Sequence, residues 1–205
     1  MPTLCLVVDD KYFSDLLSLK KMIVSAVDGG VNLIILRSKI LDWESIKLFT
    51  NSLKEDLKDE IPIGINVGNL KIFEPHSDVL HFPEYSILKE KDYSQVVGRS
   101  VHSLKAAIKA ESCGADYLIA GTIYSTDSHP YKKPEGLSLI KSISSNVSIP
   151  VFAIGGMKPK NIIPVLESGA SGISTISSIL SSDEPKKIAQ SFYKILIENY
   201  NPTAL

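Results

Sequence analysis

The sequence has little that would tie the protein to a membrane, to nucleic acid or to an oxidising compartment. Its 205 residues include only two cysteines, Cys5 and Cys113, without pairing or metal-site spacing, and its formal net charge is -1. No segment approaches the ~20 apolar residues of a membrane span, and the near-zero charge gives no general attraction to DNA, RNA or anionic lipid. The start lacks a basic lead and a cleavage site. We therefore expect a cytoplasmic protein with reduced thiols, and neither a nucleic acid nor a membrane as partner.

The length and composition suit one buried core. The chain is 44% hydrophobic and 22% charged, which allows a sizeable core, although 205 residues are few for a barrel of about 250. No linker, low-complexity tract or short-period repeat interrupts the sequence. We therefore expect a single domain over residues 1–205, with short loops.

Short apolar segments alternate with amphipathic ones along the whole chain. The apolar segments contain almost no charge, which is typical of parallel strands covered on both faces. Strands are predicted over Thr3–Val8, Leu33–Leu36, Pro62–Ile65, Val79–Phe82, Val96–Val101 and Tyr117–Ile123, and within Pro150–Met157 and Gly172–Ser178. Helices are predicted over Ser14–Val27, Asp42–Asp59, Ser103–Cys113, Gly136–Ser144, Asn161–Gly169 and Glu184–Tyr200. Eight strands that alternate with helices favour an α/β fold, a compact (β/α)8 TIM barrel, with an open doubly wound sheet as the alternative.

The last two predicted strands end in residues suited to an anion. Gly155 and Gly156 follow one strand, and Ser177 and Ser178 end the next. Glycine leaves backbone N–H groups accessible, and hydroxyls add further hydrogen-bond donors. Because phosphate sites in (β/α)8 barrels are frequently formed after strands seven and eight, these four residues predict a phosphate-binding cup.

Polar residues also follow the second and third predicted strands. Arg37 and Lys39 are two residues apart and are expected to leave the strand on the same side, where two cations suit an anionic group. The alternative is that both side chains are exposed and form ion pairs with nearby carboxylates. Asn66 ends the third strand, where its amide could bond a heterocycle or cap a turn.

Three histidines are candidates for different roles. Ser100 and His102 share a face with Gly98 by the two-residue strand period, which would direct them to the barrel axis. His102 is then the best-placed group for proton transfer near neutral pH, although a core histidine bonded to backbone is an equal alternative. His81 lies inside a strand and is interpreted as filling the barrel interior. His129 lies in a hydroxyl-rich loop after Gly121 that is either an anion-binding lid or simply solvated.

At this point the chain resembles the thiamine phosphate synthase/TenI family over nearly its whole length. The motifs that carry the resemblance are Leu36–Lys39, Gly98–Ser103, Gly114–Tyr117, Gly121–Thr126 and Ala153–Met157. The resemblance implies a compact (β/α)8 barrel, often dimeric, that works on a thiazole phosphate in thiamine biosynthesis. A homodimer is therefore expected.

The synthase branch of the family joins a pyrimidine diphosphate to a thiazole phosphate with Mg²⁺. Arg37 and Lys39 match its diphosphate-binding pair, Asn66 its strand-three asparagine, and Thr126 and Ser128 its loop hydroxyls. Other positions differ. Val67 and Ser86 stand where the resemblance implies metal-binding aspartates, Ile35 where it implies a pyrimidine-binding glutamine, and His129 where it implies a lysine.

The TenI branch is more similar, in the Gly98–Leu104 motif, in Thr126 and Asp127 and in the tail ending Ala204 and Leu205. It includes thiazole tautomerases, which aromatise a carboxythiazole phosphate by proton transfer. Their catalytic histidine corresponds to Thr122, whose hydroxyl has no pKa near neutrality. His102 or His129 would then move the proton, or the protein would bind its ligand without turnover.

We therefore expect a TenI-like protein that binds a thiazole phosphate, with tautomerisation as the leading hypothesis. Thiamine phosphate synthesis and a non-catalytic regulatory role are the alternatives. No cofactor or metal is expected, except Mg²⁺ if the synthase alternative holds. The candidate catalytic residues are His102, Thr122 and His129, and the candidate binding residues are Arg37, Lys39, Asn66, Ser100, Thr126, Ser128, Gly155, Gly156, Ser177 and Ser178.

Overall fold

Eight parallel strands pair in chain order, and the last pairs with the first to close a barrel. The structure is a computed structural model and describes residues 1–12, 14–68, 77–86, 94–126 and 133–199. The strands are β1 Thr3–Val8, β2 Leu33–Leu36, β3 Ile63–Asn66, β4 Val79–Phe82, β5 Val96–Val101, β6 Tyr117–Gly121, β7 Val151–Ile154 and β8 Gly172–Thr175. The predicted (β/α)8 barrel is confirmed, and the open doubly wound sheet is wrong.

The helices cover the outside of the barrel. They are α1 Leu16–Val27, α2 Trp43–Asp56, α3 Leu104–Ser112, α4 Leu137–Ser144, α5 Ile162–Glu167, α6 Ser177–Leu180 and α7 Pro185–Asn199. Side-chain caps fix where helices begin: an Asp42 carboxylate oxygen accepts a bond from Ser45 N at 2.8 Å, and Ser103 Oγ accepts one from Ala106 N at 3.2 Å. The connections after β3 and β4 lie largely outside the described residues. No helix in the described ranges has the length and apolar character that crossing a membrane requires.

The strands are mostly apolar because both of their faces are buried. In β1, Leu4 and Leu6 belong to the large core cluster that the helices cover, whereas Cys5 and Val7 belong to a cluster inside the barrel. The two-residue strand period therefore places alternate side chains outside and inside the barrel. It also determines which residues at the strand ends can reach the barrel axis.

The end of β8 differs from the sequence prediction. The strand stops at Thr175, and Ser177 and Ser178 begin the short helix α6 instead of ending the strand. Ser178 Oγ donates to the carbonyl oxygen of Met157 at 2.6 Å, while Ile179 and Leu180 of α6 are buried. The chain therefore turns after Thr175, and the short helix buries both of these apolar side chains.

Candidate functional site

A cavity of about 300 Å³ opens at the C-terminal ends of the strands. That is the end of a (β/α)8 barrel at which active sites are built, and the volume is at the lower end of the range for small-molecule pockets. Apolar side chains, including Val7, Ile35, Ile119 and Ile154, form part of its wall. The polar residues around it are Arg37, Asn66, His81, Glu84, Tyr85, Ser100, His102, Thr122, Thr126, Ser174, Thr175, Ser177 and Ser178.

The phosphate cup is the part of this cavity lined by Gly155, Gly156, Ser177 and Ser178. Gly155 and Gly156 have φ angles of +105° and +63°, which side-chain-bearing residues rarely adopt. A methyl group at Gly155 would lie 2.4 Å from Thr122 Cγ2, and one at Gly156 would lie 2.5 Å from the carbonyl oxygen of Ser125. Glycine is therefore required for this close approach of backbone segments.

The cup has backbone donors. Among the described residues, no hydrogen bond of a turn, loop or helix cap has as its donor the backbone N–H of Gly155, Gly156, Ser177 or Ser178. The hydroxyl of Ser178 already donates to Met157, so towards a ligand it can offer only oxygen lone pairs. Next to the cup, Ser174 Oγ is fully buried and lies beside the Cys5 thiol, a weak hydrogen-bonding group. Sequence reasoning did not identify this hydroxyl.

Arg37 lines the cavity, whereas Lys39 does not. The Arg37 guanidinium forms an ion pair with Asp9, whose carboxylate offsets part of its charge. Lys39 is exposed. The strand alternation ends at Leu36, and the buried Ser38 hydroxyl accepts bonds from the N–H groups of the next turn, so Lys39 does not follow the direction of Arg37. The expected convergence of two cations is therefore not formed.

Asn66 and Thr126 line the cavity from β3 and from the loop after β6. Asn66 Oδ1 accepts a bond from Gly68 N at 3.2 Å, so its amide caps a turn and presents its NH₂ group as a donor. Ser128 and His129, which were expected to bind and to catalyse, lie outside the described residues.

His102 forms a dyad with Glu84 at the mouth of the cavity. One Glu84 carboxylate oxygen accepts from the backbone N–H of His102 at 2.6 Å and contacts the imidazole Nδ1 at 2.7 Å. When the imidazole carries a single proton, this contact favours that proton on Nδ1 and leaves the lone pair on Nε2. Sequence reasoning selected His102 but not Glu84. The sequence could have indicated this contact, because Glu84 follows β4 and His102 follows the neighbouring strand β5.

Thr122 lies beside the phosphate cup and is 8% exposed. It follows a cis peptide bond from Gly121. Its methyl group is directed towards Gly155, which makes Thr122 a wall of the cup.

Deeper in the cavity, His81 joins Tyr117 and Ser100. The His81 Nδ1 lies 3.2 Å from Tyr117 Oη, and Nε2 lies 2.8 Å from Ser100 Oγ. Burial, assisted by the nearby charges of Arg99 and Arg37, lowers the pKa of His81 to about 3. The ring is therefore neutral at physiological pH. The structure agrees with the interpretation of His81 as an interior residue but adds hydrogen bonds that the sequence did not predict.

The residues at the ends of β3 and β4 do not fit the Mg²⁺ site that the synthase resemblance implies. Val67 is buried in an apolar cluster, and Ser86 provides a hydroxyl where a carboxylate was implied. The cavity carboxylate of Glu84 is engaged by His102, and Asp9 is engaged by Arg37. Within the described ranges, no three His, Cys, Asp or Glu residues are grouped as metal ligands. Mg²⁺ prefers oxygen ligands that include one or two carboxylates.

Comparisons with known proteins agree with the fold and indicate a function. Residues 84–179 match the family model for thiamine monophosphate synthase. The chain is 34% identical to the thiamine-phosphate synthase of Clostridium acetobutylicum over 204 residues, which cover 96% of this chain and 95% of that protein. It is also 34% identical to the putative thiamine-phosphate synthase 2 of Aquifex aeolicus over 185 residues, covering 88% and 98% of the two chains.

A solved structure is similar over the same extent. The thiamine phosphate pyrophosphorylase of Pyrococcus furiosus superimposes with a TM-score of 0.80 at 25% sequence identity, and the match covers 96% of each chain. These relatives are named for synthase chemistry. The comparisons therefore favour the synthase alternative over the tautomerase that the sequence motifs favoured.

Proposed function

We infer the function from one premise: this chain belongs to the thiamine monophosphate synthase/TenI family. Members of this family act in thiamine biosynthesis. We propose that the chain is an enzyme that binds a thiazole phosphate in its cavity. The phosphate cup is the observation that carries this proposal, because Gly155 and Gly156 bring backbone N–H groups to the cavity where an anion can accept from them.

The shape of the cavity suits a phosphate joined to a small apolar ring. With its phosphate at the cup, a ligand would extend past Ile154 and Ile176 towards the other side of the cavity. The aliphatic wall favours a ring of low polarity there. Arg37 lies at the β2 side of the cavity and would attract a second anionic group, with its charge partly offset by Asp9.

Thiamine phosphate synthesis is the first candidate reaction, and the names and full-length similarity of the relatives support it. In this reaction the C–O bond to the diphosphate breaks, a C–N bond to the thiazole forms, and diphosphate leaves. Arg37, Asn66 and Ser100 would bind the diphosphate oxygens by charge and hydrogen bonding. We assign no step to Mg²⁺, because the described residues do not fit its site.

Thiazole tautomerisation is the second candidate, and the Glu84–His102 dyad favours it. The reaction removes a proton from one ring position and returns it at another, so it needs neither a metal nor a second substrate. His102 Nε2 has the lone pair needed to accept that proton, and Glu84 would stabilise the imidazolium that forms. Ile35, Val67 and Ser86 further favour a reaction without pyrimidine diphosphate.

One pair of assays separates the candidates. Purified protein is incubated with pyrimidine diphosphate, thiazole phosphate and Mg²⁺, and separately with the carboxythiazole phosphate tautomer. Formation of thiamine phosphate supports the synthase, and tautomer conversion supports the tautomerase. Binding of thiazole phosphate without either reaction would contradict enzymatic function and support a non-catalytic binding protein.

The dyad provides the matched variants. For a tautomerase, His102→Gln should lower the rate by roughly a hundredfold or more, the range for loss of a general base. Glu84→Gln should lower it less, because the imidazole remains. Lys109→Gln changes a charge on α3, outside this cavity, and serves as the control. An unchanged conversion rate in His102→Gln would refute the assignment of the proton to this dyad.

A further inference from the structure

Three side chains form a continuous hydrogen-bonded chain from the barrel interior to the cavity. Tyr117 Oη lies 3.2 Å from His81 Nδ1, and His81 Nε2 lies 2.8 Å from Ser100 Oγ. Tyr117 and His81 are 4% and 2% exposed, and the partly buried Ser100 lines the cavity. The three residues come from the adjacent strands β6, β4 and β5. Each link can be made in two directions, because all three groups can donate or accept.

The surroundings of Tyr117 determine the direction of the first link. Its ring stacks on Phe152 with centroids 5.2 Å apart, inside an apolar cluster. Burial raises the pKa of the Tyr117 phenol, so the hydroxyl keeps its proton. Among the described residues, His81 Nδ1 is the one hydrogen-bond partner of Tyr117 Oη. If Nδ1 were itself protonated, the phenol proton would be buried without an acceptor, at the full desolvation cost of that group.

The second link then follows from the first. The His81 ring is neutral, because burial and the charges of Arg99 and Arg37 oppose protonation. A neutral imidazole with an unprotonated Nδ1 has its proton on Nε2. That proton is donated to Ser100 Oγ, so the Ser100 hydroxyl cannot direct its own proton back to His81 and can donate it into the cavity.

We propose that Tyr117 fixes the His81 tautomer and thereby makes Ser100 a hydrogen-bond donor aimed into the cavity, selective for an acceptor atom such as an oxygen of a phosphate or diphosphate. Tyr117 and His81 are positioning residues in this scheme, and Ser100 contacts the ligand. The identity of the ligand rests on the proposed function, whereas the tautomer does not.

The first test reads the tautomer in the ligand-free protein. Long-range proton–nitrogen spectra of ¹⁵N-labelled protein distinguish a protonated from an unprotonated ring nitrogen, and a His81→Gln variant identifies the His81 signals. We expect the proton on Nε2 at pH 7, and a larger Nδ1-protonated population in Tyr117→Phe. A proton on Nδ1 in the unmodified protein, or an unchanged tautomer in Tyr117→Phe, overturns the proposal. Tyr193→Phe is the matched control, because its hydroxyl contacts Met1 Sδ outside the cavity.

The second test measures affinity for thiazole phosphate and for inorganic pyrophosphate. Ser100→Ala should weaken binding of the ligand that accepts from Ser100 by roughly tenfold to a hundredfold, the loss expected for one hydrogen bond to a charged group. Tyr117→Phe should weaken it less, and the double variant should match Ser100→Ala, because both changes act through one hydroxyl. Additive losses, or unchanged affinity for both ligands in Ser100→Ala, overturn the proposal. If the unmodified protein binds no thiazole phosphate, the proposed function fails while the ¹⁵N spectra still decide the tautomer.

Discussion

Replacement of Gly155 by alanine tests the phosphate cup and its link to the fold. A new methyl group would lie 2.4 Å from Thr122 Cγ2 and 3.0 Å from Thr122 Cα, well inside van der Waals contact. The side chain could turn away, but the backbone of Thr122 cannot move without disturbing the wall of the cup. Gly155→Ala should therefore both destabilise the barrel and displace the N–H groups to which we assign the phosphate.

The magnitude follows from two separable costs. A φ of +105° strains an alanine by about 1–3 kcal/mol, and overpacking against Thr122 adds about 1–3 kcal/mol. The expected loss in free energy of unfolding is thus about 2–6 kcal/mol. Gly136 provides the matched control, because its φ is +74° but a methyl group there meets no atom within 4 Å. Gly136→Ala should lose only the conformational part, about 1–3 kcal/mol.

Urea unfolding gives the stability of both variants, and thiazole phosphate titration below their unfolding transitions gives the affinity. We expect a lower midpoint with an unchanged m-value for each variant, a larger loss for Gly155→Ala, and weakened binding in that variant alone. Equal stability of the two variants would refute the packing argument. Normal affinity in Gly155→Ala would refute the assignment of the phosphate to this corner.

Three further predictions concern single groups. Arg37→Ala should weaken pyrophosphate binding measured by calorimetry, and the loss should shrink at high salt because the contribution is electrostatic; equal losses at both salt levels would contradict this. Because burial lowers the pKa of His81 from 6.5 to about 3, the unfolded state binds a proton that the folded state excludes between these values. Acidification through this range should therefore lower the free energy of unfolding by up to about 1.4 kcal/mol per pH unit through His81 alone, and urea unfolding should find the pH slope smaller by this contribution in His81→Gln. Burial raises the pKa of Cys5 to about 12, so Ellman's reagent should modify only Cys113 in the folded protein and both thiols in urea; two fast-reacting thiols without urea would contradict this.

The fold could be predicted because the strand signal is local. A strand buried on both faces is apolar at most positions, so β1, β2, β4 and β5 were predicted with the bounds that the structure gives. The same signal predicted that β6 extends to Ile123, whereas the strand ends at Gly121. Ile123 is apolar and buried, yet it lies beyond the strand, because a loop that folds back over the barrel also buries side chains.

Site residues could be predicted only where the two-residue period of a single strand determines the direction of the side chain. Ser100 and His102 line the cavity as the two-residue period indicated. Lys39 does not, because that period holds only while the backbone stays extended, and the chain turns at Ser38. Glu84 was missed because its contact with His102 joins the ends of two strands. The sequence does not reveal how far each residue lies beyond the C-terminal end of its strand.

The two candidate reactions share one end of the cavity and differ at the other. The phosphate cup uses backbone N–H groups, so it would serve either reaction whatever side chains stand nearby. Ile35, Val67 and Ser86 lie on the β2 to β4 side, where the resemblance implied an amide for the pyrimidine and carboxylates for a metal. Ligand binding alone therefore cannot distinguish the activities, because a thiazole phosphate would be held in both. The distinction depends on whether a pyrimidine diphosphate is bound on that side without those groups, which makes the two-substrate assay more decisive than any measurement on the cup.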